Sequence, residues 1–368
     1  MKKRKKKKIR VLFLFGGKSA EHEVSLQSAK NVINFINKEK YEVVLMGIDK
    51  KGGWRLSAGS QYLLNADNPK SVKLNKQGES VALVPGHSEK RLIGLSRENV
   101  TGAVDVVFPV LHGTFGEDGT VQGLLKLLDV PFVGAGVLGS AVGMDKDVQK
   151  RLLRDAGIPV VKFVVLHDPK EINYEQIVRE IGIPFFIKPA NAGSSVGVHK
   201  VKNKSQFQEA IKDAFSYDLK ILAEQYIKGR ELECSVLGNE QPIASVPGEV
   251  LPQHEFYSYE AKYLDEHGAV LEIPAKVPGP IAKRIQELAA RAFRVLCCKG
   301  MARADFFMAE NGDLYLNEIN TIPGFTKTSM YPKLWEASGL SYENLIDKLI
   351  RLAIERFQQE KKLKRSFL

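Results

Sequence analysis

Residues 303–324, Arg-Ala-Asp-Phe-Phe-Met-Ala-Glu-Asn-Gly-Asp-Leu-Tyr-Leu-Asn-Glu-Ile-Asn-Thr-Ile-Pro-Gly, constrain this chain more than any other stretch. Two alternating runs flank Asn311-Gly312, a strong hairpin signal. Closed on a two-residue turn there, the hairpin sets Asp305 opposite Glu318 and Arg303 opposite Asn320. The strand period of two then puts all four side chains on one face. Directly opposed carboxylates repel and cost stability, and a bound cation removes that cost. Hard divalent cations take carboxylate and amide oxygens, and Mg²⁺ takes few protein ligands plus substrate phosphates. The hairpin therefore predicts a Mg²⁺–nucleotide site with Arg303 beside it. The competing reading is a solvated hairpin in which Arg303 neutralises one acid. An odd-numbered turn would slip the register and part the two acids.

The 368 residues suggest two or three domains. The formal charge is +11, but residues 1–10 carry eight positive charges and 361–365 carry four, so the body is near neutral. That distribution lacks the domain-wide basic excess of a specific nucleic-acid binder. The tails, 1–10 and 361–368, read as disordered, with weak contact to nucleic acid or an anionic membrane as the lesser alternative. The apolar run at 11–15 is too short for a signal-peptide core, and Gly16-Gly17 breaks it. No run approaches the roughly 20 apolar residues of a membrane span. Cys234, Cys297 and Cys298 lack metal-ligand spacing, and the Cys297-Cys298 pair reads as core. A reducing cytoplasm fits.

Strands at 10–15, 41–48, 104–109 and 131–133, with helices at 24–36 and 124–128, read as a parallel α/β domain over 11–144. Short strands are expected at 81–84 and 91–94. A second unit, 145–229, carries helices at 146–156 and 173–181 and strands at 160–166 and 185–188. A third, 230–360, carries long helices at 279–297 and 342–358. The stretch 247–270 is rich in Pro, Tyr and His without periodicity, as functional loops in compact enzymes are.

Gly134-Ala-Gly-Val-Leu-Gly139 matches a dinucleotide fingerprint, but the acid that the fingerprint needs about 20 residues on falls on a predicted helix. No Walker-type loop occurs, so a phosphate site must be built another way. Residues 185–197, Phe-Phe-Ile-Lys-Pro-Ala-Asn-Ala-Gly-Ser-Ser-Val-Gly, are the better candidate. A hydrophobic strand ends in Lys188, and a Gly/Ser segment rich in backbone donors follows it. In 222–233, Glu224 and Glu231 are candidate acceptors for adenine-amine and ribose-hydroxyl protons, a pattern an amphipathic strand-loop shares. Glu21 follows the first strand, where α/β sheets bind ligands. It is either a holder of a substrate ammonium or an acid favoured at a helix N-terminus. His112 follows the third strand in a glycine-rich segment and by itself reads as structural.

Together these segments resemble the ATP-grasp ligases, and within them the D-alanine–D-alanine ligase family, over nearly the whole chain. The resemblance implies a three-domain α/β architecture, an N-terminal parallel domain with two α+β units clamping ATP. It implies phosphorylation of one D-alanine carboxylate and attack by the amine of a second, for peptidoglycan precursors. It implies two Mg²⁺ or Mn²⁺ ions on Asp305, Glu318 and Asn320. Lys146, Lys188 and Lys262 would contact ATP phosphates, with Ser195 in the phosphate loop. Glu224, Gln225, Ile227 and Glu231 would hold adenine and ribose. Glu21 and His112 would serve the first substrate and Ser329 the second. Arg303 and the Gly324 N–H would stabilise the oxyanion, and Glu21, Ser194 and Tyr263 would tie the site shut. The segment Tyr257-Ser-Tyr-Glu-Ala-Lys-Tyr263 looks like that of dipeptide-forming members and favours an amine over D-lactate, leaving D-serine as the alternative acceptor. An oxidoreductase leaves the hairpin carboxylates unexplained, and a non-catalytic nucleotide-binding regulator would not be expected to keep Arg303, Lys262 and every metal ligand, as this chain does. The expected assembly is a homodimer, with no nucleic-acid or membrane partner.

Overall fold

A computed structural model describes all residues except 1–6, 58–61, 69–70, 76, 87–91, 96–99, 170–171, 253–268 and 365–368. Most of the N-terminal tail, half of the C-terminal tail, and Lys262 and Tyr263 of the expected loop lie outside the described residues. The N-terminal tail is shorter than expected, because the first strand, Ile9–Gly16, already includes Arg10. Arg10 pairs with Glu42 at 3.0 Å.

The first sheet has seven strands in the order Val100–Gly102, Leu92–Gly94, Glu79–Leu83, Trp54–Ser57, Tyr41–Ile48, Ile9–Gly16 and Val106–Val110. Only Ile9–Gly16 with its two neighbours is parallel. The other strands pair antiparallel, so the expected parallel domain is a mixed sheet. The expected strand at 131–133 makes a single parallel bridge, Val107 to Phe132. The centre is buried on both faces, which is why 11–15 reads as an unbroken apolar run. Phe13, Phe15 and Phe108 face the helices His22–Phe35 and Tyr342–Lys361, while Leu12 and Leu14 face the helix Thr120–Leu127.

The last helix, expected as part of the third unit, is thus bonded to the first. Asp347 accepts from Tyr41 Oη at 2.9 Å and Lys40 Nζ at 3.0 Å. Arg356 donates to the carbonyls of Gly134 and Phe132 at 2.6 and 2.9 Å. Lys361, expected to open the C-terminal tail, ends that helix and pairs with Asp129.

A four-stranded antiparallel sheet follows, in the order Phe163–Leu166, Ile221–Gln225, Phe185–Pro189 and His199–Val201. A six-stranded antiparallel sheet follows. Its main path runs Ala269–Glu272, Gly248–Pro252, Gly229–Gly238, Gly300–Ala309 and Leu314–Asn320, with Ile243–Ala244 beside Gly229–Gly238. The helix Gly279–Val295 packs under it against Leu232, Ala302, Ala304 and Phe306. Cys298 is buried in that core, and burial pushes its thiol up to about 12. Cys297 departs from the expectation of a core pair. It turns outward at φ +55 just past the helix and is exposed. Among the described residues no helix is long and apolar enough to cross a membrane.

Candidate active site

A cavity of about 400 Å³ opens between the four- and six-stranded sheets. Its floor is the hairpin of Gly300–Ala309 and Leu314–Asn320. The hairpin turn is not the two-residue one expected. Gly312 N–H donates to Ala309 O at 2.8 Å and Ala309 N–H to Asp313 O at 2.9 Å, giving a three-residue turn, 310–312. Gly312 sits at φ +87, the left-handed position such turns require. Near the turn the register is accordingly slipped, with Phe306 opposite Leu316. A bulge between Asp305 and Phe306 then absorbs one extra residue, Asn317, and restores Asp305 to Glu318 and Arg303 to Asn320. The expected face survives because two local irregularities cancel.

Arg303 grips that face. Its guanidinium donates to both Asp305 oxygens at 2.7 Å and reaches Glu233 at 2.9 Å. Asn320 Nδ2 donates to Asp305 at 2.9 Å. The acids are therefore balanced by cations inside a partly buried cavity, not by solvent. Glu318 lies 3.7 Å from Lys146, which also donates to Ala192 O at 2.6 Å. Burial pulls Lys146 below the ordinary lysine range, against the attraction of Glu318.

Lys188, next to last in its strand, is buried and pairs with Glu224 at 2.7 Å. Glu224 takes a second lysine, Lys150, at 3.2 Å. Burial alone would raise the Glu224 carboxyl, but the two lysines hold it below its usual value. The expected adenine acceptor thus already balances two ammonium groups. Gln225, Ile227 and Glu231 line the same cavity.

The roof is the 190–198 segment. Ser194 and Ser195 adopt φ +50 and +60, a costly conformation for residues other than glycine. Ser194 Oγ donates to Glu21. Glu21 stands at the N-cap of the helix His22–Phe35, but its side chain makes no capping hydrogen bond there. A Cβ at Gly113 or at Gly193 would meet a Glu21 carboxylate oxygen at 2.6 Å, and Gly113 also sits at φ +73, so a side chain there would be strained as well as crowded.

His112 is buried with both ring nitrogens engaged, Nδ1 with Ile322 O and Nε2 with Ser28 Oγ, each at 3.0 Å. Donation to the carbonyl at Nδ1 makes Nε2 the acceptor of the Ser28 proton, a neutral ring. Burial, with Arg303 nearby, pushes its pKa down to about 4. His112 therefore lines the cavity as a brace for the 321–325 turn. Ser329 Oγ accepts from Thr326 N at 2.9 Å and sits over Gly324, where a Cβ would meet it at 2.6 Å.

Sequence reasoning missed four residues here. Glu233 shares a strand face with Glu231, and Lys150 lies one turn from Lys146, so spacing signalled both. Asn317 is the bulge residue. Glu117, in the same glycine-rich segment as His112, accepts from Gly113 N at 2.8 Å and Ile322 N at 2.9 Å. Burial and then the neighbouring Glu21 push it up to about 8.

This geometry coincides with clear kinship. Residues 10–135 match the D-ala D-ala ligase N-terminus and residues 152–351 the D-ala D-ala ligase C-terminus. A D-alanine–D-alanine ligase of Oceanobacillus iheyensis is 55% identical over 98% of this chain and 99% of that protein. The D-alanine–D-alanine ligase structure from Coxiella burnetii superposes with TM-score 0.83 at 40% identity, covering 96% of each chain. The VanG D-Ala:D-Ser ligase of Enterococcus faecalis superposes at 0.82 with 37% identity, over 94% of this chain and all of that one. The chain belongs to the D-alanine–D-alanine ligase family, with its ATP-grasp architecture.

Proposed function

We propose that this chain joins two D-alanine molecules into D-alanyl-D-alanine with ATP, through an acyl phosphate, for peptidoglycan precursor synthesis. The carrying observation is that phosphate-type cations, the acid–amide face and Glu21 line one cavity in a chain of this family. The first D-alanine carboxylate takes the γ-phosphoryl group and ADP leaves. The amine of the second then attacks the acyl carbon, loses a proton, and phosphate departs. Lys146 and Lys188 neutralise phosphate oxygens from the side, and Arg303 with the Gly324 N–H meets the developing oxyanion. Glu21, tied to Ser194, holds the first substrate's ammonium and closes the roof against water. Ser329 receives the second carboxylate, and Glu224, Gln225, Ile227 and Glu231 frame the nucleoside. Lys262 and Tyr263 belong to the same proposal through their sequence segment alone.

Among the described residues no group of three His, Cys, Asp or Glu is placed to hold a metal. Asp305, Glu318 and Asn320 supply two carboxylates and an amide on one face, a hard oxygen set that fits Mg²⁺ or Mn²⁺ completed by phosphate oxygens. Two such ions, when bound, would neutralise the transferring phosphoryl group. Relatives at 55% identity carry the D-alanine name, against 37% for the D-serine enzyme, which supports D-alanine as second substrate. A cytoplasmic homodimer completes the reading. The test is product analysis by mass spectrometry with D-alanine alone, and with D-serine or D-lactate added in competition. D-alanyl-D-alanine should dominate, and absence of dipeptide would overturn the reading.

A further inference from the structure

Lys150 is fully buried and does not line the cavity, yet it touches both halves of the site. Its helix, Lys146–Asp155, starts at an Asp145 cap and carries Lys146 one turn earlier, so both lysines project from one face. A buried ammonium has three protons to place and no water to take them. Lys150 Nζ finds Glu224 at 3.2 Å and the Asn317 carbonyl at 2.9 Å. The Asn317 side-chain oxygen lies 3.4 Å from Lys188 Nζ. Lys150 and Lys188 are therefore bridged twice, once by Glu224 and once by the bulge residue.

Both bridges matter. Asn317 is the extra residue that returns Asp305 to Glu318, and a bulge residue is left out of the ladder. Its carbonyl is satisfied by Lys150 across 167 positions of sequence. Glu224 carries one negative charge against two lysines. With Lys150 present the cluster keeps a net positive charge for a polyanion. Without it, Lys188 is matched one-to-one by Glu224 and its charge is spent inside the protein.

We propose that Lys150 is a positioning residue that holds the bulge under the acid–amide face and keeps Lys188 available to nucleotide phosphates. Burial pushes its own pKa down to about 8, against the opposing attraction of Glu224. The proposal rests on the ligase reading above.

The test compares wild type with Lys150→Met and Lys150→Gln, each first shown to be folded by near-UV circular dichroism. D-alanine-dependent phosphate release is measured while ATP, Mg²⁺ and D-alanine are varied separately. The KM for ATP and the half-saturating Mg²⁺ should both rise about tenfold or more, while the KM for D-alanine stays within about twofold of wild type. A purely structural lysine would lower thermal stability and kcat without that selective pattern. Lys150→Gln keeps a hydrogen-bond donor to Asn317, so it carries the test if Lys150→Met does not fold. Unchanged KM for ATP and Mg²⁺ dependence in a folded variant would overturn the proposal. Wild type that releases no phosphate with D-alanine would instead overturn the ligase reading.

Discussion

The hairpin floor and the 190–198 roof hold their site residues by different means. On the floor, the strand period fixes Arg303, Asp305, Glu318 and Asn320, and Ala304, Phe306 and Ile319 anchor the opposite face in the core. The roof has no ladder of its own. It is held by ties at separate points: Lys146 to Ala192 O, Ser194 to Glu21, and Asn191 N to Asp218 at 2.7 Å. A sheet-held face is rigid whether or not ligand is present. A tied loop can be loosened one tie at a time.

The largest break should come on the floor. Arg303→Ala removes the partner of Asp305 and Glu233 and the proposed oxyanion donor together. Turnover should fall by about 10²–10³ at saturating substrates, as for loss of an oxyanion donor, read as kcat in phosphate release. At the joint between the two regions, His112 sharpens the comparison through pH. Its folded pKa of about 4 lies below the unfolded value near 6.5. The unfolded chain therefore binds more protons between these values, and stability is lost as pH falls from about 6.5 to about 4. The contribution is at most about 3 kcal/mol. Denaturant titrations of His112→Asn should show a correspondingly shallower acid limb than wild type.

On the roof, Ser194→Ala removes one charged hydrogen bond, a loss of about 1.5–3 kcal/mol. It should lower thermal stability by no more than that amount and lower kcat/KM for D-alanine by roughly tenfold or more. A fall in kcat for Ser194→Ala as large as that expected of Arg303→Ala would erase the distinction between roof and floor. The smallest effect is expected at the turn. Gly312→Ala forces a side chain into φ +87, with no neighbour within 4 Å, and should cost about 1 kcal/mol in denaturant midpoint. Because the bulge lies between turn and site, kcat should not change.

The same contrast explains what was legible in the sequence. The floor was readable because alternation survives in its letters, and even the bulge left a trace. Leu314 and Leu316 are buried two apart, and the next core residue is Ile319, three further on. The turn was misread because Asn-Gly favours a two-residue loop, while here Gly312 serves as the left-handed last residue of three. Two of the strands that the first sheet adds were expected, near 81–84 and 91–94, but strand composition does not show pairing direction, so their antiparallel pairing went unread. Cross-chain ties such as Lys150 to Glu224 and Glu117 to Ile322 leave no periodic mark. Lys262 and Tyr263 were readable as a segment and lie outside the described structure.

The central claim is that the Asp305–Glu318 face is the metal–nucleotide floor. Electron paramagnetic resonance of Mn²⁺ with saturating ATP tests it most directly, in wild type and in Glu318→Gln. Wild type should bind two nucleotide-dependent Mn²⁺ ions per chain, and Glu318→Gln should lose at least one. Equal Mn²⁺ occupancy in the two proteins would contradict the account.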